Sequence, residues 1–170
     1  MSIAEEFLAE FHQESQTTRK FLERVPQDQL TWKPHEKSMT VGQLGLHIAM
    51  SQGQVIQMAR NDESPPPNFG QPNPQPESVS DIISAFEESI RTVQSVLPTF
   101  SDAQMQAMWR LKADGRELMA MPRSALIRMI LLNHIYHHRG QLGVYLRMLG
   151  ARVPSSYGPS GDEMPDFVQS

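Results

Sequence analysis

The sequence predicts an all-α four-helix bundle in one domain spanning residues 1–170, and three observations carry that reading. Apolar residues recur at helical spacing in four long segments, and no segment shows the convincing alternation of a strand. Between the second and third segments, residues 61–77 hold six prolines (65, 66, 67, 72, 74 and 76), which exclude helix and central strand. At about 3.1 Å per residue such a linker reaches around 50 Å, enough to travel the length of a helix. Helices two and three are therefore expected to run parallel.

The first helix, residues 2–25, opens with Ser2 three positions before Glu5, a capping box, and carries Ile3, Phe7, Leu8, Phe11, Phe21, Leu22 and Val25. Pro26 ends it, and a loop follows through Trp32, Pro34 and Ser38. Thr40 and Gln43 form a second capping box for residues 41–60, with Val41, Leu44, Ile48, Val55 and Met58 as its stripe. Gly45, Ala49 and Gly53 make a smooth strip on that helix where a neighbour can approach closely. The third helix, residues 79–97, starts near Ser78 or Ser80 and buries Ile82, Ile83, Phe86, Ile90, Val93 and Leu97. Residues 101–108 suit a short helix, and 109–121, which include Gly115, read as a loop or extended arm. Pro122 suits the first turn of a fourth helix running to Leu149, with Gly150 as its stop. The Pro-, Gly- and Ser-rich tail after Gly150 is expected to lie as a coil over the bundle, or to be disordered at its very end.

Composition narrows the chemistry. Fifteen Lys and Arg against nineteen Asp and Glu give a net charge of −4, unsuited to a general nucleic-acid binder. No apolar run is long enough to span a membrane, and the acidic start Met1–Glu6 is unlike a secretory peptide, so a cytoplasmic location is expected. The absence of cysteine excludes disulfides, thiolate metal sites and a cysteine nucleophile of the protein's own.

Histidine remains. Plotted at about 100° per residue, the fourth helix places His138 about 40° from His134, with Ile127, Ile130, Leu131, Leu142, Tyr145, Met148 and Leu149 within about 80°. On helix two, His47 lies beside Leu44, Ser51, Val55 and Met58 on the inward side. A single inward histidine reads as a core residue with one hydrogen bond. Three together also match a metal set, because an i, i+4 pair can chelate one ion and a ligand from a facing helix completes three nitrogens with an open side. His137 rivals His138 by spacing but projects about 60° to the other side of His134. His12 and His35 read as solvated bystanders. The carboxylate di-iron pattern and the His-Glu-x-x-His pattern are both absent.

The stretch Asn133–Leu142 (NHIYHHRGQL), the upstream Thr40–Ala49 (TVGQLGLHIA) and the tail Val153–Glu163 (VPSSYGPSGDE) resemble the DinB/YfiT-like family of damage-inducible proteins. The resemblance covers nearly the whole chain. It implies an up-down-down-up four-helix bundle and a divalent metal (zinc, nickel or iron) held by the residues matching His47, His134 and His138. It also implies a homodimer and relatives that act as thiol-dependent transferases or isomerases with low-molecular-weight thiols.

Gln43, His137 and Gln141 are further candidates for outer contacts to the ligands or to a small-molecule substrate, against the alternative of plain solvation. Tyr157 and Asp162 could fold over the pocket, or simply pack a turn-rich coil. The back of helix four, with Met129, Leu132, Tyr136 and Leu146 near Gly140 and Gly143, is apolar enough for a dimer contact, or for cover by the 98–121 arm or the tail. Two functions are expected: a metal-dependent enzyme activating water or an external thiol (a thiol S-transferase or a hydrolase), or a non-catalytic stress-related bundle that binds metal or a small ligand. A third reading makes the histidines a lock for the core.

Overall fold

The computed structural model describes residues 1–68, 70–165 and 168; the extreme C-terminus, where the sequence allows disorder, lies largely outside them. Both expected capping boxes are present. Ser2 and Glu5 open α1 (Ile3–Leu22), and Thr40 and Gln43 open α2 (Val41–Met58). Ser78 and Asp81 do the same for α3 (Val79–Val96), and Ser101 with Gln104 for the short α4 (Asp102–Gln106).

The fourth long helical run is not the single regular helix that the spacing predicts. It comprises α5 (Arg123–Leu126), a π-helical segment (Ile127–Asn133) and α6 (His134–Met148). The wider π turn buries Ile127, Leu131 and Leu132 together while Arg128 reaches across to Glu10 on α1. Met148, placed inward by the sequence plot, is exposed.

A second correction concerns strands. The arm at 109–121 is a β-hairpin, β2 (Met108–Ala113) against antiparallel β3 (Arg116–Pro122), and β1 (Glu63–Ser64) adds a parallel edge to β2. The protein is thus mostly helical with a small three-stranded sheet rather than all-α. Asp114 and Gly115 both take positive φ, 49° and 74°, as a two-residue hairpin turn of right-handed strands requires. Trp109 anchors the hairpin in the core, almost wholly buried. The proline linker does exclude central strand, since β1 precedes the prolines and sits at the sheet edge.

Side-chain contacts fix how the long helices meet. Glu10 meets Arg128, Glu14 meets Arg139, and Phe21 lies against Gly143, so α1 and the C-terminal run advance together. Gly45 faces Ile82 and Gly53 faces Ser89, so α2 and α3 also advance together, as the long linker predicts. Arg19 pairs with Glu87 while His12 approaches Gln94, so α1 and α3 run in opposite senses.

The core forms two apolar clusters. One gathers around Phe11, Ile56, Val93, Leu97, Trp109 and Ile127, the other around Leu22, Leu44, Ile48, Ile82, Phe86 and Leu142. Between them runs a belt of buried polar side chains: Glu14, Ser15 and Thr18 on α1, Ser51 and Gln52 on α2, Ser89 on α3 and Arg139 on α6.

The small-residue strip on α2 does allow the close approach expected of it, and this gives a test with opposite signs. A Cβ on Gly53 would lie 2.9 Å from Ser89 Oγ and 3.2 Å from Ser89 Cα, whereas a Cβ on Gly140 would meet nothing within 4 Å. Gly140→Ala should raise stability by up to about 1 kcal/mol through helix propensity. In Gly53→Ala the same gain is outweighed by overpacking of about 1–3 kcal/mol. Urea unfolding of the two variants should move the midpoints in opposite directions.

Candidate metal centre

His134 and His138 stand one turn apart on α6, and His47 reaches them from α2. The Nε2 atoms of His47 and His134 lie 3.4 Å apart, and those of His134 and His138 3.0 Å apart. The three rings pack edge to face with centroids 4.3–5.1 Å apart. Among the described residues these three are the one group of His, Asp or Glu side chains whose ligand atoms all fall within 4.8 Å of one another.

The donor set fits a divalent cation. An ion about 2.0–2.1 Å from each nitrogen holds adjacent ligands about 3.0–3.4 Å apart at octahedral to tetrahedral angles. His138 Nδ1 lies 2.7 Å from Gln141 Oε1. That oxygen accepts the Nδ1 proton, which leaves His138 Nε2 as a bare lone pair facing its two neighbours. His134 Nδ1 is buried with no hydrogen-bond partner, so its ring has no competing contact to turn it away from the cluster.

Electrostatics favour the ligand form. Burial, then the neighbouring imidazoles, pushes His134 down to about 4. His47 is lowered by burial, and His138 mainly by burial, partly opposed by its bond to Gln141. Each folded-state value lies below the unfolded one, so the unfolded chain binds more protons in between. The metal-free protein should therefore keep this contribution to stability above about pH 6.5 and lose it as pH falls toward 4. Melting temperature followed across that window should show the fall, and His134→Gln should flatten it.

The other candidates are placed as follows. Gln141 holds His138 as described. His137 is exposed, its ring 4.8 Å from that of His138 and outside the three-ring group. Gln43 spends its amide on the α2 cap and on the carbonyl of Asn73 in the linker. Tyr157 hydrogen bonds Arg139 and Glu14, and Asp162 accepts from the Val153 N–H and pairs with Arg147, so both tie the tail to α6 and its neighbours. His12 and His35 are exposed. Leu132 and Leu146 are buried within the chain, with Tyr136 against Glu10 and Tyr157, so α1 and the tail cover much of the back of α6.

Two buried charges outside the sequence candidates lie beside the site, Glu14 and Arg139, whose carboxylate and guanidinium meet at 2.7 Å. The available signal was Glu14 lying on the α1 face that carries Phe11 and Thr18, and Arg139 directly after His138.

Fold and site together define a mostly helical protein with a three-imidazole cluster at a helix junction. The chain belongs to the DinB family, whose profile matches residues 1–166. It is 27% identical over 165 residues to the uncharacterized protein YrdA of Bacillus subtilis (strain 168), covering 95% of this chain and 92% of that one. Its fold is similar to that of a DinB-like protein from Bacillus cereus ATCC 10987, with a TM-score of 0.70 at 24% identity over 90% of this chain and 97% of the other. A DinB-like protein from Bacillus subtilis, YjoA, gives 0.68 at 20% identity over 89% and 96%. Among the described residues no helix is long and apolar enough to cross a membrane.

Proposed function

We propose that this DinB-family chain holds a divalent metal ion, zinc, nickel or iron, on His47, His134 and His138, and that it acts as an enzyme on a small-molecule substrate. The observation that carries the reading is the convergence of three Nε2 atoms from rings whose environment favours the neutral form. A metal with an open side would supply Lewis-acid activation of water or of a low-molecular-weight thiol. The chain contributes the rest: neutral imidazoles as ligands, Gln141 holding the His138 tautomer, and no cysteine, so that a sulfur nucleophile has to come from an external thiol. Thiol S-transfer and hydrolysis both fit this machinery. In the same reading the long helices run up, down, down, up, supported by the paired contacts of α1 with the C-terminal run and of α2 with α3. A homodimer belongs to the proposal as well, supported by the exposed Val144 and Met148 beside the open Gly140 on α6.

A second reading, a metal or small-ligand binder without turnover, draws support from two surface grooves that could take a small ligand away from the imidazoles. One lies between α6 and the tail and the other between α2 and α3; neither is lined by the three imidazoles. Elemental analysis of protein purified without a His tag, followed by a panel of thiols and electrophiles, separates the two. Adding the native metal at about a hundred times its Kd should stabilise the apoprotein by about 2.7 kcal/mol, a rise in Tm of roughly 5–10 °C. An unmoved Tm with every divalent ion tried would leave the histidines as a core lock.

A further inference from the structure

The Glu14–Arg139 pair lies in the polar belt, with side-chain exposures of 10% and 3%. Its guanidinium reaches the Glu14 carboxylate at 2.7 Å, the Glu14 carbonyl at 3.3 Å, Thr18 Oγ1 at 3.2 Å and the Tyr157 hydroxyl at 2.9 Å. Tyr157 donates in turn to Glu14 Oε2 at 2.9 Å. One side chain of α6 is thus bound at four points, three of them on α1 and the fourth on the tail.

Arg139 follows His138 directly. On a helix successive side chains are about 100° apart, so fixing Arg139 toward α1 fixes the direction of His138, and that of His134 one turn earlier, toward α2. An apolar contact in the same place would resist rotation weakly, because dispersion is non-directional, whereas a planar guanidinium whose two terminal nitrogens meet separate acceptors, one the Glu14 carboxylate and Tyr157 hydroxyl, the other the Glu14 carbonyl and Thr18 Oγ1, is held in angle as well as distance. We propose that Glu14 and Arg139, joined by Tyr157, are positioning residues: they set the rotation of α6 at which the three imidazoles converge. The tail acts on the site through this pair and not by covering it. The proposal rests on the metal-site reading for its consequence, but its geometric content stands apart from that reading.

Removing one charge alone would strand the other in the core, so the test is the double variant Glu14→Leu/Arg139→Met, which takes both away and keeps the volume. Cobalt(II) is the probe, read by its visible absorption and by titration. The expected result is a folded protein by circular dichroism whose cobalt affinity is lower by at least about tenfold, with an altered visible spectrum. Leu97→Ala, a buried truncation that touches none of the three imidazoles in a hydrogen bond or ring contact and takes no part in the Glu14–Arg139 pair, is the control: it should lower stability and leave cobalt affinity as in the wild type. In metal-free protein, an NMR contact between the His47 and His138 rings, whose centroids lie 4.6 Å apart, should be lost in the double variant and kept in the control. Wild-type cobalt affinity with the ring contact intact would overturn the proposal. If wild-type protein fails to bind cobalt, the metal reading falls, and the ring contact still decides the positioning claim. If the double variant does not fold, Arg139→Lys decides, since it keeps the charge but loses the planar head that serves four acceptors. A several-fold weaker cobalt affinity supports the proposal, and wild-type affinity overturns it.

Discussion

His138→Ala should lose nearly all specific metal while the helical fold survives. The imidazole is half-buried and, among the described residues, is bonded outside the cluster to Gln141 alone, so its removal opens a small gap without stranding a buried charge. Two nitrogens remain of three, and the pair that remains spans two helices instead of chelating from one. A loss of affinity of two orders of magnitude or more is the expected scale for a missing ligand, beyond the roughly 10–100-fold typical of outer partners. His35→Ala, on an exposed loop, should bind as the wild type does. Metal content after dialysis, measured side by side, checks the pair, and equal content in both would defeat the ligand assignment.

Arg123→Ala should be among the most destabilising single changes outside the apolar core. The guanidinium is 3% exposed and donates to the backbone carbonyls of Ala59, Gln104 and Asn61 and to the Asp62 carboxylate. It also lies over the Phe100 ring at 5.4 Å. One side chain therefore satisfies the end of α2, the end of α4 and the chain leading into β1. Truncation leaves carbonyls without a donor at about 1–3 kcal/mol each where water cannot reach them. With three carbonyls stranded and the Asp62 carboxylate free to turn to water, a total of about 3–5 kcal/mol is expected, a lowering of Tm by some 10 °C, read by thermal denaturation. Arg123→Lys should recover only part, because an ammonium cannot serve several divergent acceptors at once.

What was legible in the sequence follows what local physics controls. The starts of α1, α2 and α3 could be read because capping is a matter of four adjacent residues, and the three imidazoles because helical phase is a matter of counting. The long connection between α2 and α3 was legible because six prolines bar helix and central strand from it. The hairpin was missed although Asp114–Gly115 is a strong turn signal, because Trp109, Leu111 and Ala113 alternate with Arg110 and Lys112 for too few residues to stand out beside long helices. The π segment has no local signature in Ile127–Asn133, where Arg128 reaches to Glu10 while Ile127, Leu131 and Leu132 are buried. Arg123 and Arg139 were opaque for a related reason. A buried arginine is justified by partners some 20 to 120 positions away, and no window along the chain contains them.

The belt that divides the two apolar clusters has a mechanical consequence. Ile90 packs against both clusters, but the seam between them is otherwise held by directional polar contacts, which tolerate small slips poorly. A cation gripped beside that seam would act as a rivet between α2 and α6, adding a tie whose strength depends on distance and angle at the level where greasy packing is thinnest.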